Sequence, residues 1–253
     1  MILMYHHIAP RGWTPPAPSP NEGWEFRHTP EALEYHVREL KRHDYRIVPL
    51  QDIVYAIRTR GIEDDKTVAL TFDDGWIDNL EYALPVLKRL SLPATFFITS
   101  SHLKKGSQNS WKMNVDHLKE SLRAGITIGA HSRSHPDLTL LPLDEAREEI
   151  AGSKAELEDA LGVEIRFFAY PGGAFNSDVA ALVQEASYAA ACSILGPARN
   201  ERSDLFWLYR DTLSEPMDSW HDRYRLSRTA RALLEFRVAA KLRRQLKVVA
   251  AAE

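Results

Sequence analysis

The sequence predicts an α/β fold with a mostly parallel sheet, either a (β/α) barrel or a doubly wound sheet, and three observations carry that prediction. Short β-like runs alternate with longer helix-like ones along most of the chain. The length of 253 residues suits a single domain of either kind. The residues richest in chemical potential follow directly on β-like runs, where parallel α/β folds gather their ligand-binding groups.

In chain order the strand candidates are "ILMY", "YRIVPL", "TVALTF", "PATFFIT", "GITIGA", "IRFFAY", "YAAACSI" and "FWLYRDTL", each chosen for β-branched, aromatic or continuous apolar content. Between them, "PEALEYHVRELKRH", "LEYALPVLKRL", "VDHLKESLRA", "LDEAREEIAGSKAELEDAL" and "SDVAALVQEA" carry apolar residues at helical spacing. Thr29 followed by Pro30 marks one helix start, and Asp178 after "FNS" marks another. No internal repeat is visible.

Composition narrows the function classes. A hydrophobic fraction of 44% with 26% charged residues is that of a globular chain, neither disordered nor membrane-spanning. The one cysteine, Cys192, excludes an internal disulfide and a Cys-rich zinc site, so any metal would be held by His, Asp and Glu. It reads as a small buried apolar residue. "MILMYHHIAP" lacks the basic and apolar regions of a signal peptide. The expected location is cytoplasmic if Met1 is native and extracytoplasmic if a leader was removed.

Two segments break the β-then-α rhythm. "APRGWTPPAPSPNEGWEF" is proline-rich and reads as a long surface loop, with Trp13 and Trp24 serving either to pin it or to stack on sugars. The chain from His221 holds nine Lys and Arg against three Asp and Glu, a net +6 in a protein of net −3. Leu234, Val238, Leu242, Leu246 and Val249 fall on one stripe there. The expected organisation is therefore a main domain over 1–220 and a basic amphipathic helix over 221–253, docked on the domain or touching an anionic membrane surface.

The chemistry concentrates in three places. "VALTFDDGW" runs a buried strand into Asp73 and Asp74, whose side chains diverge by strand alternation, so one can hold a metal while the other handles a proton. An Asp-Gly turn that caps the next helix is the plain structural reading. "IGAHSRSHPDL" places His131 and His135 four apart after another strand. With Asp74 they make a two-His, one-carboxylate set that leaves open positions on a divalent ion. "FAYPGGAFN" supplies a third strand-end turn.

These motifs resemble those of the polysaccharide deacetylase family, the NodB-homology domain of carbohydrate esterase family four. "TFDDG" is similar to the family's first motif, "HSRSH" to its second and "FAYPGGAFN" to its third, over roughly Met1 to Leu213. The resemblance implies a single-domain deformed (β/α) barrel with its site at the C-terminal ends of the strands. It implies Asp74, His131 and His135 as metal ligands and Asp73 as catalytic base. Gly172 after Pro171 would help bind the oxyanion, with Tyr170 and Pro171 beside it in the groove. The cofactor implied is one divalent ion, with zinc the first expectation and cobalt, nickel or iron acceptable to the same donors.

Two departures from the family pattern matter. No Leu-x-His motif follows "FWLYRDTL", but "LMYHHI" resembles the N-terminal Tyr-His segment of the circularly permuted branch, which includes poly-N-acetylglucosamine deacetylases. By that match His6 is the general acid, His7 packs or contacts the loop, and His221 is a weaker rival. The position of the third-motif arginine holds Ala169, while Arg166 starts its strand at the far end. Arg210 is therefore assigned to orient Asp73, with a structural salt bridge as its plain alternative. His28, His36, His43, His102 and His117 read as packing or solvent-facing residues.

The implied function is metal-dependent removal of N-acetyl groups from an amino-sugar polysaccharide or oligosaccharide. Two alternatives stand beside it. One is a deformylase or deacetylase of a lipid-linked or nucleotide-linked amino sugar, and the other is a non-catalytic carbohydrate-binding protein on the same fold. No nucleic-acid partner is expected.

Overall fold

The computed structural model describes residues 1–14, 26–103, 111–196 and 199–213. Trp24, His221 and the basic stripe over 221–253 lie outside the described residues. Among the described residues eight strands form: β1 (Ile2–Tyr5), β2 (Arg46–Ile47), β3 (Thr67–Phe72), β4 (Thr95–Ile98), β5 (Thr127–Ala130), β6 (Phe167–Ala169), β7 (Ala190–Ser193) and β8 (Leu208–Tyr209). All pair in parallel in the order β1-β3-β4-β5-β6-β7-β8, with β2 beside the start of β3. The ring closes because Met4 N–H donates to Asp211 O at 2.8 Å and Asp211 N–H donates to Ile2 O at 2.9 Å. Seven strands thus make a nearly closed, deformed (β/α) barrel.

Alternation along the strands sorts the core into two layers. Ile2, Ala69, Phe97, Phe167, Ala169, Ala190, Cys192 and Leu208 form an inner cluster. Leu3, Tyr5, Val68, Leu70, Phe72, Phe96, Ile98, Phe168 and Ala191 lie in the outer one, under the helices. Gly129 is required by this packing, since a Cβ there would meet the Phe97 ring at 2.6 Å. Extending the inner register past each strand end reaches His6, Asp73, His131 and Arg210 in turn. One parity therefore builds the core at one end of the barrel and delivers polar groups at the other.

Six α-helices accompany the strands among the described residues: α1 (Pro30–Arg42), α2 (Leu50–Arg60), α3 (Leu84–Arg89), α4 (Val115–Arg123), α5 (Leu143–Leu161) and α6 (Ser177–Glu185). Thr29 caps α1 by accepting from Ala32 N–H at 3.2 Å. The start of α6 is one of two corrections: Asn176, not Asp178, is its cap, accepting from Val179 N–H at 2.9 Å. Asp178 sits in the first turn, where its charge suits the helix dipole.

The other correction is α2, which the strand reading of "YRIVPL" concealed. Only Arg46 and Ile47 pair in the sheet, and Pro49 turns the chain into a helix whose Leu50, Ile53, Val54 and Ile57 enter the inner cluster. Arg58 donates to Ala189 O at 2.5 Å and Arg166 to Gln51 Oε1 at 3.0 Å, which places α2 across the N-terminal ends of β6 and β7. It closes the end of the barrel opposite the candidate site. The expected helix over "LEYALPVLKRL" begins as a π-turn at Asn79–Ala83 before α3. Pro85 lacks the N–H that an α register would use there. No helix among the described residues is long and apolar enough to cross a membrane.

Candidate active site

At the C-terminal end of β3 the backbone turns sharply: Asp74 has φ +71° and Gly75 φ +67°. The turn separates two neighbouring carboxylates. Asp73 continues the inner strand register, its N–H donating to Tyr5 O at 2.9 Å, while Asp74 swings toward β5. Both are buried. After β5 the chain repeats the device, with Ser132 at φ +58° and His135 at φ +66°. Such conformations cost non-glycine residues free energy and persist only where surroundings enforce them.

Those surroundings are specific. Ser132 Oγ accepts from His135 N–H at 2.9 Å, closing the turn on itself. Glu149 of α5 accepts the N–H groups of Arg133 and Ser134, both at 2.9 Å, and the Ser134 hydroxyl at 2.7 Å. Glu156, two turns further on, takes the Arg133 guanidinium at 2.7 and 3.0 Å and also the Ser100 hydroxyl. The loop between the two histidines is thereby strapped to α5.

The result is a cluster of one oxygen and two nitrogens. Asp74 Oδ1 lies 3.4 Å from both His131 Nε2 and His135 Nε2, and the three candidate ligand atoms all fall within 4.8 Å of one another. His131 Nδ1 is 2.8 Å from Ala169 O, at the end of β6. Because a carbonyl only accepts, Nδ1 carries the proton and Nε2 faces the cluster, the arrangement in which a ligating imidazole is oriented by its other nitrogen. Burial, reinforced by His131, pushes His135 down to about 4, so it stands neutral with a lone pair at pH 7. Burial opposes charge on Asp74, but hydrogen bonding with His131 and the charge of Lys112 hold its carboxyl well below the usual range. His131 is held above its ordinary value, because Asp73 and Asp74 outweigh burial; a cation at Nε2 would compete with that proton. Two imidazoles and a carboxylate fit a divalent ion of the zinc type with positions left open.

Beside the cluster, Arg210 and Asp73 form a two-pronged pair, Nη1 to Oδ1 at 2.6 Å and Nη2 to Oδ2 at 2.7 Å. Arg210 also donates to Thr71 Oγ1 at 3.2 Å. Both partners are 2% exposed. Desolvation would raise the Asp73 carboxyl, but Arg210 and then His131 outweigh it and keep it below its ordinary value. The guanidinium arrives from the end of β8, two strands along the sheet from the third-motif position at Ala169 on β6. Arg166 stands at the opposite end of the barrel, on Gln51 and Glu164.

His6 follows β1 on the same inner register, its ring stacked on Phe26 with centroids 5.1 Å apart. Its Nδ1 is buried with no hydrogen-bond partner among the described residues. Burial lowers its pKa, while the charges of Asp73 and Asp74 pull the other way. His7 points to the outer layer, with Nδ1 2.5 Å from Asp78 Oδ2. In the third motif the side chains of Tyr170 and Pro171 are buried, and the Tyr170 hydroxyl donates to Phe206 O at 2.7 Å. Gly172 is exposed at φ +59°, so the wall of the groove is backbone at this point. Trp13 meets the Tyr82 ring edge-on at 6.2 Å.

Several residues near the cluster carry little sequence signal. The Trp76 indole donates to Asp74 Oδ2 at 2.9 Å, and Lys112 Nζ donates to Asp74 O at 2.8 Å. His102, after β4, is pushed down to about 4 by burial and then by the charge of Lys112, and it also feels Asp74 and His135. Trp76 stands two residues past Asp74 and was open to notice. Lys112, Glu149 and His102 are brought in by other elements. His28 and His36 do pack, on Leu213 O at 2.6 Å and on the Tyr5 hydroxyl at 3.1 Å.

A parallel barrel that gathers an Asp-His-His cluster, an arginine-held aspartate and a partly buried histidine at one end has the layout of a metal-dependent hydrolase. Residues 60–191, just over half of the chain, match the family model described as polysaccharide deacetylase. The chain belongs to the polysaccharide deacetylase family. It is 24% identical over 216 residues to the putative polysaccharide deacetylase YxkH of Bacillus subtilis, covering 85% of this chain and 72% of that one. It is 25% identical over 195 residues to the poly-β-1,6-N-acetyl-D-glucosamine N-deacetylase of Staphylococcus aureus, covering 72% of this chain and 66% of that enzyme. Among solved structures, the Streptococcus pyogenes deacetylase PplD in complex with acetate superposes with a TM-score of 0.74 at 24% identity, covering 88% of this chain and 95% of that one.

Proposed function

We propose that this protein hydrolyses the N-acetyl groups of an amino-sugar oligosaccharide or polysaccharide, releasing acetate and a free amine. The observation that carries the reading is the meeting of the Asp74, His131 and His135 cluster with the Arg210-held Asp73 and with His6 at one end of the barrel. The Staphylococcus aureus relative, named for deacetylation of poly-β-1,6-N-acetyl-D-glucosamine, supports this substrate class. Asp74 Oδ1, His131 Nε2 and His135 Nε2 would hold the ion, and their chemistry favours zinc. When bound, such an ion polarises a carbonyl and lowers the pKa of a coordinated water from about 15.7 toward 7.

The chain's own residues divide the remaining work. Asp73 accepts the proton of the attacking water, and Arg210 keeps both carboxylate oxygens aimed while preserving the charge of the base. The backbone N–H of Gly172 is assigned to the developing oxyanion. His6 delivers a proton to the departing nitrogen; desolvation lowers its pKa, and the carboxylates of Asp73 and Asp74 oppose that shift.

The test is acetate release from N-acetylglucosamine oligomers by protein stripped of metal and then reconstituted with zinc, cobalt or nickel. Release that requires the ion, and that Asp73→Asn abolishes while retaining the ion, is the expected result. Unchanged turnover in Asp73→Asn would remove Asp73 as the base. Stoichiometric metal binding without release would point to a different acyl group.

A further inference from the structure

Asp74 offers two oxygens, but only one faces the histidines. Oδ1 lies 3.4 Å from each Nε2, while Oδ2 accepts the Trp76 indole N–H at 2.9 Å. Trp76 is 1% exposed, so water does not compete for that bond. Its ring is fixed from several directions. His7, itself bonded to Asp78, lies 4.3 Å away between centroids, Trp111 lies at 5.5 Å, and the Lys112 ammonium sits 3.3 Å from the ring centroid.

Lys112 is 6% exposed, a rare burial for an ammonium beside a cluster that collects cations. Its contacts explain its place. Nζ reaches Asp74 O at 2.8 Å and the π face of Trp76 together, so it grips the carbonyl of the strained residue and the indole that holds its carboxylate. A cation on the π face also draws electron density from the indole and strengthens its N–H as a donor. The backbone is locked in the same place: Trp76 and Lys112 form an antiparallel bridge, Met113 N–H donates to Gly75 O at 2.8 Å and Ile77 N–H to Trp111 O at 2.9 Å. The segment before α4 thus clamps the turn after β3.

We propose that Trp76, backed by Lys112, is a positioning residue that fixes Asp74 as a one-oxygen ligand, keeping Oδ2 off the ion so that positions stay open for water and substrate. The inference rests on reading the cluster as a metal site. It assigns to "DDGW" and to Trp111–Met113 a task that the ligands do not perform themselves. Released from the indole, the carboxylate can rotate and offer both oxygens, which raises the coordination number and closes the position the reaction needs.

The test is the visible absorption of the cobalt-loaded full chain together with zinc affinity from chelator competition, in the wild type, Trp76→Phe and Lys112→Met, each checked for folding by circular dichroism. Trp76→Phe is expected to bind zinc about 10- to 100-fold more weakly. Its cobalt bands should lose intensity as the coordination number rises. Lys112→Met should shift the bands the same way by a smaller amount. Bands identical to the wild type's in a folded variant overturn the proposal, whatever the affinity. If Trp76→Phe does not fold, Lys112→Met decides by the same criterion. A wild type that takes up no ion would instead defeat the metal-site reading itself, which keeps the two failures distinct.

Discussion

Replacing Arg210 with Met removes one half of a buried ion pair and leaves the other in place. Both residues are 2% exposed, and Arg210 supplies both hydrogen bonds to the Asp73 oxygens, at 2.6 and 2.7 Å. Breaking such a pair from one side costs about 3–5 kcal/mol, because a desolvated carboxylate is stranded. For a domain of this size that corresponds to a fall in Tm of roughly 6–20 °C. The pH dependence carries the sharper test. In the wild type Asp73 sits below its ordinary value, so its stabilisation is present above the unfolded pKa of about 3.9 and is lost as pH falls through the folded value. Without Arg210, burial prevails and Asp73 rises above that reference. Its charge then costs stability at neutral pH, and acidification recovers part of the loss. Thermal unfolding of metal-free wild type and Arg210→Met at pH 7 and pH 4.5 should therefore show a deficit that shrinks on acidification. A deficit under about 1 kcal/mol at pH 7, or one that grows at pH 4.5, would refute the reasoning.

Three further perturbations separate the site's supports from its scaffold. Glu149→Gln weakens the acceptor of two backbone N–H groups and a hydroxyl in the histidine loop, so zinc affinity should fall about tenfold, read by chelator competition. Gly173→Ala places a Cβ against the Ile194 side chain and 2.9 Å from Ile194 N at φ +70°; urea unfolding should show a loss of about 1–3 kcal/mol. Thr29→Ala removes the cap of α1, and the same assay should read about 1 kcal/mol with turnover unchanged.

How much of this was legible in the chain differs from element to element. Most of the strands stand out as short apolar or β-branched runs followed by a turn, whereas β2 pairs over Arg46–Ile47 alone and is not buried. The helix α2 did not, although Leu50, Ile53, Val54 and Ile57 keep a helical spacing, since "RIVPL" reads locally as strand and only the neighbouring barrel decides where pairing stops. His6 was singled out by the resemblance of "LMYHHI" to the permuted branch, and Arg210 by its place near the end of a strand from which it could reach inward. Lys112, His102 and Glu149 stayed hidden because nothing in their local sequence points to a site.

The sequence by itself determined the candidate site groups and their spacing: Asp73 with Asp74 after one strand, His131 with His135 after another, and Cys192 as the single thiol. Those are local facts, carried by side-chain chemistry and by an alternation of period two. Tertiary structure decided the rest. It closed β8 onto β1 through Asp211 and so brought Arg210 to Asp73 across 137 residues of chain. It turned one oxygen of Asp74 to the histidines and the other to Trp76, and it strapped the histidine loop to α5 through Glu149. The physical reason is that orientation in a buried polar site is set by the partners of each lone pair and proton, and those partners come from distant strands and helices.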